Sequence, residues 1–295
     1  MADKIALRLA GKKGVVVTEA GFGADIGCEK FFNIKTRASG LKPDCAVIVA
    51  TVRALKTHGG GPPVSAGTPL HRVYSEENLE LVTKGCCNLQ RHIENTRKFG
   101  VGVVVALNQF HTDTKAELEV VRELALKAGA DACVVSNHWA LGGAGAVDLG
   151  RAVLAVCDAS KDKRRLGGSS GVPRFLYGVD ETLKAKIERV AVEIYRASKV
   201  EFLPLAEQQL EQCQRLGWGS LPICIAKTQY SFSSDPELKG APEGHTLTVR
   251  EARASVGAGF VFVLTGAIMT IPGLPTRPGY YDVDLKEDGK IVGLF

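Results

Sequence analysis

The chain has 295 residues, 45% of them hydrophobic, and a net charge of +5. That length buries a sizeable core, and the composition excludes a disordered or collagen-like polypeptide. The eight cysteines form no C-x-x-C pair and the six histidines show no metal-ligand spacing. This argues for small buried thiols in a reducing compartment and against a disulfide framework or a zinc site.

Residues 1–11 read as a short amphipathic segment, with Ile5 and Leu9 four apart and no apolar core of a secretory signal. A valine-rich stretch over 14–18 reads as a buried strand. Gly21, Gly23 and Gly27 follow, and then a helix-compatible run. A strand, a glycine turn and a helix start form an anion site, because free N–H groups and the helix dipole face outward. The spacing Gly21-x-Gly23-x-x-x-Gly27 is one residue longer than the dinucleotide fingerprint. Ala50, Thr51 and Val52 stand where a nicotinamide-binding fold needs an acidic residue, which counts against a dehydrogenase.

Short valine-rich runs over 46–50, 101–107 and 132–136 read as strands buried on both faces. Helical periodicity covers 76–98, with Leu79, Val82, Leu89 and Ile93 on one side. It returns over 114–128, closed by Gly129, and over 147–157. Strands alternating with such helices predict an α/β fold with an open, mostly parallel sheet. The stretch 160–173 reads as an exposed loop. It holds the one dense basic cluster, Lys161-Asp162-Lys163-Arg164-Arg165, followed by glycines and serines. No aromatic residues interleave with it, so nucleic acid is not expected as a partner. Beyond it, helices over 181–198 and 205–216 and strands over 247–249 and 259–264 predict a smaller α+β region. The expected division is 1–160 and 161–295. No stretch approaches the ~20 apolar residues of a membrane span. The most apolar segment, 260–271, is limited by Gly266 and Pro272.

The residues around the glycines carry more than their spacing. The run 18–32, TEAGFGADIGCEKFF, resembles a signature of the formate–tetrahydrofolate ligase (10-formyltetrahydrofolate synthetase) family, found also as the synthetase domain of C1-tetrahydrofolate synthases. Further matches follow in the family's order: ATVRALKTHGG over 50–60, NQFHTDT over 108–114, HWALGGAG over 138–145, LPICIAKTQYS over 221–231, MTIPGLP over 269–275 and VGLF over 292–295. The resemblance covers the whole chain and corresponds to roughly the C-terminal half of the family. It implies a P-loop-NTPase-like sheet without the P-loop half. The string G-x-x-x-x-G-K-[ST] is absent; Gly11-Lys12-Lys13 and Gly289-Lys290-Ile291 come nearest.

In that family ATP phosphorylates formate, and N10 of tetrahydrofolate attacks the resulting formyl phosphate. The resemblance implies ATP and Mg²⁺, held by the N-terminal half, a monovalent cation, and tetrahydrofolate as substrate. It implies small-molecule partners, no membrane, a homo-oligomer, and a cytoplasmic or mitochondrial-matrix location. Phe110 and Trp139 match the family's pterin-sandwiching positions. Val135 lines the same wall, and Phe31 or Phe32 contributes. Arg53, Lys56, Gly59, Gly60 and Lys227 are candidate contacts for phosphate or the folate tail; solvated-loop or packing roles stand beside that reading. Gln109 stands where the family has lysine, which weakens a nucleotide role for Asn108 and leaves Asn108 as a loop cap. Gly102 stands where the family usually has proline, and Arg196 where it usually has glycine; both departures bear on stability. No catalytic or metal-ligating residue is singled out. The alternative is a non-catalytic truncated relative that binds folate or serves as an assembly subunit.

Overall fold

The computed structural model describes residues 1–64, 69–165, 174–266, 268 and 276–293. Helix α1 spans Ala2–Ala10, and a three-residue helix, α2, spans Arg37–Ser39. Between them lie two π-helical segments, Ala24–Cys28 and Phe31–Thr36. The first sheet holds β1 (Cys45–Ala50), β2 (Gly102–Asn108) and β3 (Ala132–Ser136) in the order β1-β2-β3, all parallel. Helices α3 (Val52–His58) and α4 (Leu79–Arg97) connect β1 to β2, and α5 (Lys115–Lys127) connects β2 to β3.

One face of this sheet carries a continuous apolar core. Ala50, Val103, Val105, Leu107 and Cys133 pack there against Leu55 of α3, Leu89 and Ile93 of α4, and Val121 of α5. Helix α5 starts on a capping box: Thr114 accepts from the Glu117 amide while Glu117 accepts from the Thr114 amide. After β3 come the four-residue α6 (His138–Leu141), a tight turn over Gly142–Ala146, and α7 (Val147–Arg165). Helix α7 lies over the opposite sheet face, where a Cβ on Gly102 would come within 2.5 Å of Val156 Cγ1. Glycine at position 102 therefore lets α7 settle close to β2.

The second sheet combines β4 (Lys199–Phe202), β5 (Ile223–Ala226), β6 (Thr246–Ser255) and β7 (Phe260–Thr265) in the order β4-β6-β7-β5. Its pairs β4–β6 and β5–β7 are parallel, while β6–β7 is antiparallel. Helices α8 (Leu183–Glu193) and α9 (Pro204–Arg215) accompany it. Its core also takes Phe32, Phe99 and Val101 from the first part of the chain. A short ribbon of β8 (Asp284–Leu285) and β9 (Ile291–Val292) stands apart from both sheets.

Three sequence expectations are corrected. Residues 14–18 form no strand; they have no regular structure and are largely exposed, with Val15 51% and Val17 87% accessible. A strand needs a neighbour to take its N–H and C=O groups, and among the described residues none pairs with this stretch. The expected loop over 160–173 begins later, because α7 continues to Arg165. Its last turns are supported by a Lys161–Asp158 pair at 3.2 Å, and no glycine or proline stands between Gly150 and Gly167. Residues 166–173 of that expected loop lie outside the described residues, as do the MTIPGLP run and the last two residues of VGLF. Finally, the helical run His138–Asp162 is long and apolar enough, by length and composition, to cross a membrane, at mean hydropathy 1.4.

Candidate functional site

Strands β2 and β3 end side by side, and each sends an aromatic residue onto the loop that follows it. The Gln109 amide donates to the Ser136 carbonyl at 3.1 Å, which ties the two loops together. The Phe110 amide donates to Asp113 Oδ2 at 2.8 Å, so Asp113, and not Asn108, caps this turn. Burial pushes the Asp113 carboxyl up from its ordinary value. On the other loop the Asn137 amide donates to the Gly145 carbonyl at 3.0 Å. A Cβ on Gly145 would lie 2.3 Å from the Asn137 carbonyl oxygen, so only glycine closes this turn. Trp139 projects from it, 92% exposed, while Phe110 and Val135 are 36% and 38% exposed. An exposed apolar patch, unlike a single exposed side chain, marks a contact surface.

The carboxyl end of β1 supplies a third wall. Thr51 caps α3 by accepting from the Ala54 amide, which sets Arg53 on the first turn. The Arg53 guanidinium carbon lies 4.5 Å from the centre of the Phe110 ring. One Phe110 face is thus covered by a cation, in an attraction that strengthens as water is excluded.

The two candidate lysines are already committed. Lys56 Nζ sits 2.7 Å from Glu117 Oε1 and donates to the Glu76 carbonyl at 2.7 Å. Its side chain is 1% exposed, so it joins α3 to the start of α5 and faces no solvent. Burial works to raise the Glu117 carboxyl, but Lys56 and the Asn78 and Thr114 amides hold it below its ordinary value. Lys227 Nζ sits 2.8 Å from Asp25 Oδ2 and donates to the carbonyls of Thr228, at 2.9 Å, and Ser231. Among the described residues, Arg53 pairs with no carboxylate, so it alone of the three keeps its charge for a ligand.

The glycines nearby have separate duties. A Cβ on Gly59 would lie 2.0 Å from the Leu81 carbonyl oxygen, and one on Gly85 would lie 1.8 Å from that of Leu55. Together they let the backbones of α3 and α4 touch. Gly60 turns the chain at φ +102° with open space around it. His58 Nδ1 accepts from the Gly240 amide at 3.0 Å. Burial, with His92 and Lys239 nearby, pushes the His58 imidazole down to about 4.

The glycine-rich run differs from the expected strand-turn-helix. The strand is missing but the helix is present: residues 24–39 are helical without a break, and Asp25 supplies a carboxylate in the first turn. The Asp25 carboxylate pairs with Lys227. A Cβ on Gly23 would come within 2.6 Å of Asp25 Oδ1. Asp25, His58, His92 and Ser231 line a cavity of about 40 Å³, room for ordered water but not for a ring or a nucleotide.

The aromatic residues of this run separate cleanly. Phe32 is 1% exposed and stacks on Phe99, with ring centres 4.5 Å apart and planes 5° from parallel. Phe31 is partly exposed and meets Phe32 edge-on, with Lys35 Nζ 4.4 Å from its ring centre. Phe22 is 76% exposed and adopts φ +58°, a left-handed conformation that bulky residues avoid. Sequence reading passed over Phe22; its only signal was a bulky residue between two turn glycines.

These residues do not fit ATP or Mg²⁺. The sequence has no phosphate-cradling loop, and Lys56 and Lys227 are spent on buried carboxylates. No ATP-dependent step is assigned to this chain's own side chains.

A parallel sheet with exposed aromatic residues at its strand ends defines an α/β protein of the kind that binds ligands beyond the carboxyl edge. The family model for formate–tetrahydrofolate ligase matches residues 1–295. The chain is 54% identical to the cytoplasmic C-1-tetrahydrofolate synthase of Schizosaccharomyces pombe, covering all of this chain and 31% of that protein. It is 54% identical to the formate–tetrahydrofolate ligase of Arabidopsis thaliana, covering 45% of it. It is 53% identical to the mitochondrial monofunctional C1-tetrahydrofolate synthase of Homo sapiens, covering 29%. The chain belongs to the formate–tetrahydrofolate ligase family and spans less than half the length of these relatives.

Proposed function

We propose that this chain carries the folate-ring site of a formate–tetrahydrofolate ligase, the enzyme class that makes 10-formyltetrahydrofolate from formate, ATP and tetrahydrofolate. Phe110 and Trp139 hold the pterin between them, and Val135 lines the wall. Phe22 is the solvent-facing aromatic residue of the glycine-rich run, and Phe31 keeps a partial surface. Phe32 acts from the core, as support. Arg53 meets the negative charge of formyl phosphate or the folate tail. Lys56, Gly59, Gly60 and Lys227 hold the elements that present these groups. Fixing a flat ring and an anion in register is worth about 7–11 kcal/mol in well-oriented reactions.

The observation that carries this reading is Trp139, 92% exposed on a glycine-closed turn beside the Phe110 loop. ATP and Mg²⁺ contacts, and a monovalent cation site, belong in this reading to the additional length of the relatives. The presence of two cores supports a division near residue 160, with 1–160 bearing the ring site. The names of the relatives favour a cytoplasmic or mitochondrial location. A homo-oligomer remains part of the proposal. The committed lysines favour a second reading, a folate-binding subunit without turnover of its own.

Calorimetric titration with tetrahydrofolate tests the site. Saturable one-to-one binding is expected, weakened at least about tenfold by Phe110→Ala, while ADP release with formate, tetrahydrofolate and ATP stays at background. Equal binding by Phe110→Ala overturns the ring site. Substrate-dependent turnover by the chain alone overturns the assignment of ATP contacts elsewhere.

A further inference from the structure

Side chains of a strand alternate between the two faces of its sheet, and register partners in a parallel pair share a face. In β1, Ile48 and Ala50 face the core beneath α3, α4 and α5, so Cys45, Val47 and Val49 face α7. The register partner of Cys45 is Gly102. Val156 of α7 sits over Gly102, where a Cβ would come within 2.5 Å of Val156 Cγ1. This close approach of helix to sheet lies one strand away from Cys45, and Cys157 is the next residue of α7. Along that helix Leu149, Ala152, Val153, Val156, Cys157 and Ser160 are partly covered, while the positions between them are exposed. That spacing is a helix stripe turned to the sheet. Two thiols far apart in the chain are thus brought to one place, at the start of β1 and the far end of α7.

Their setting differs from that of the other thiols at this sheet. Cys86 and Cys133 are closed inside the core of the opposite face. Cys45 and Cys157 are each partly exposed. Cys45 Sγ donates to the Ala46 carbonyl at 3.6 Å. Burial, and after it the neighbouring Cys157, pushes the Cys45 thiol up to about 12. Cys45 is therefore held as a thiol, and Cys157 is the sulfur left to react first. Disulfides join cysteines whose Cα atoms lie about 4.4–6.8 Å apart. A side chain at position 102 would hold α7 off the sheet at this level, and glycine removes that spacer.

We propose that Cys45 and Cys157 form a reversible oxidation site, which takes a small peroxide and closes to a disulfide between β1 and α7. The Cys157 thiolate attacks one peroxide oxygen, the O–O bond breaks and hydroxide leaves, giving a sulfenic acid. The Cys45 sulfur then attacks the Cys157 sulfur and the S–O bond breaks. The hydroxyl leaves with the Cys45 proton as water. Two thiols are oxidised, and one hydrogen peroxide is reduced to two waters. A thiol reductant reopens the bond by exchange. Helix α7 begins directly after the turn over Gly142–Ala146, so the closed form pins its other end to the sheet. The site draws on the first sheet alone and stands apart from folate binding.

The test treats the folded chain with hydrogen peroxide, alkylates the remaining thiols and maps the peptides by mass spectrometry. A Cys45–Cys157 linkage, lighter than the reduced pair by two hydrogens, should appear before any other linkage among the eight cysteines. In urea the fold no longer holds the sulfurs together, and the same linkage should form at least about tenfold more slowly. Cys45→Ser should stop the linkage and leave Cys157 as a sulfenic acid that dimedone captures. Cys87→Ser, at a partly exposed cysteine of α4, should change neither result. Oxidation should raise the urea midpoint of the parent chain, and dithiothreitol should return it. A different linkage forming first, a linkage as fast in urea as in the folded chain, or a lowered midpoint overturns the proposal. So does a linkage between two copies of the chain, or the absence of reaction at both sulfurs.

Discussion

Lys227 Nζ lies 2.8 Å from Asp25 Oδ2, with the two side chains 0% and 7% exposed, and this pair joins the glycine-rich run to the end of β5. Burial alone lowers the Lys227 ammonium, and Asp25 opposes that fall. Removing one partner leaves an uncompensated buried charge, which typically costs 3–5 kcal/mol, whereas replacing both with apolar residues costs far less. Asp25→Ala should therefore destabilise the chain by about 3–5 kcal/mol. The double variant Asp25→Leu/Lys227→Met should recover much of that loss. Urea unfolding of the two variants checks the order, and an additive loss would contradict it.

Phe22 and Arg196 are the two non-glycine residues with positive φ among the described residues, both at +58°. Strain of this kind costs about 1 kcal/mol at each position. Arg196→Gly should raise stability by about 0.5–1 kcal/mol, less whatever its 3.5 Å pair with Glu94 contributes, and leave folate binding unchanged. Phe22→Gly should also stabilise, but weaken folate binding. Thermal melts paired with folate titrations separate a strained contact residue from a strained bystander.

The His58 imidazole is held down at about 4 in the folded chain, against an ordinary value of 6.5. The unfolded chain therefore binds more protons between those values. The stability that neutral His58 contributes is complete above the unfolded value and is lost as pH falls toward the folded one. His58→Asn keeps an acceptor for the Gly240 amide but does not titrate. It should flatten the acid side of the stability profile over that window by on the order of 2 kcal/mol, leaving stability near neutrality little changed. Urea midpoints measured across the acid range check this; a slope equal to that of the parent chain would count against it.

A methyl group on Gly85 would lie 1.8 Å from the Leu55 carbonyl oxygen. Gly85→Ala must push α3 off α4, and overpacking of backbone on backbone should cost at least about 2–3 kcal/mol. Because Arg53 rides on α3, the same variant should weaken folate binding. Gly150→Ala, in open space on α7, should do neither. Parallel urea unfolding and folate titration of the two variants decide it.

The valines of β2, the helix opening at Thr114 and the apolar stripe of α4 were readable because local pattern and tertiary role agree there. Residues 14–18 show where pattern fails: a valine run becomes a strand only if a partner strand takes its backbone groups. Lys56 and Lys227 resembled free anion contacts because a sequence does not print which carboxylate folds against which lysine. Glu117 and Asp25 lie far along the chain from them. Phe22 was passed over for a related reason, since its exposure follows from a left-handed backbone angle that propensity assigns to glycine. The loops after β2 and β3 were legible in the NQFHTDT and HWALGGAG runs, although Asp113 and not Asn108 caps the first of them. Arg53 stacking on Phe110 was not, because it depends on β1 and β2 lying side by side.

The most direct test of the account reads Trp139 itself. In a Trp218→Phe background, Trp139 is the remaining tryptophan of the sequence, and it stands 92% exposed. Titration with tetrahydrofolate should quench and blue-shift its emission with one saturating affinity, and Phe110→Ala should abolish the change at the same folate concentrations. An emission that stays that of a solvated indole while calorimetry records folate binding would place the ring elsewhere and contradict the account.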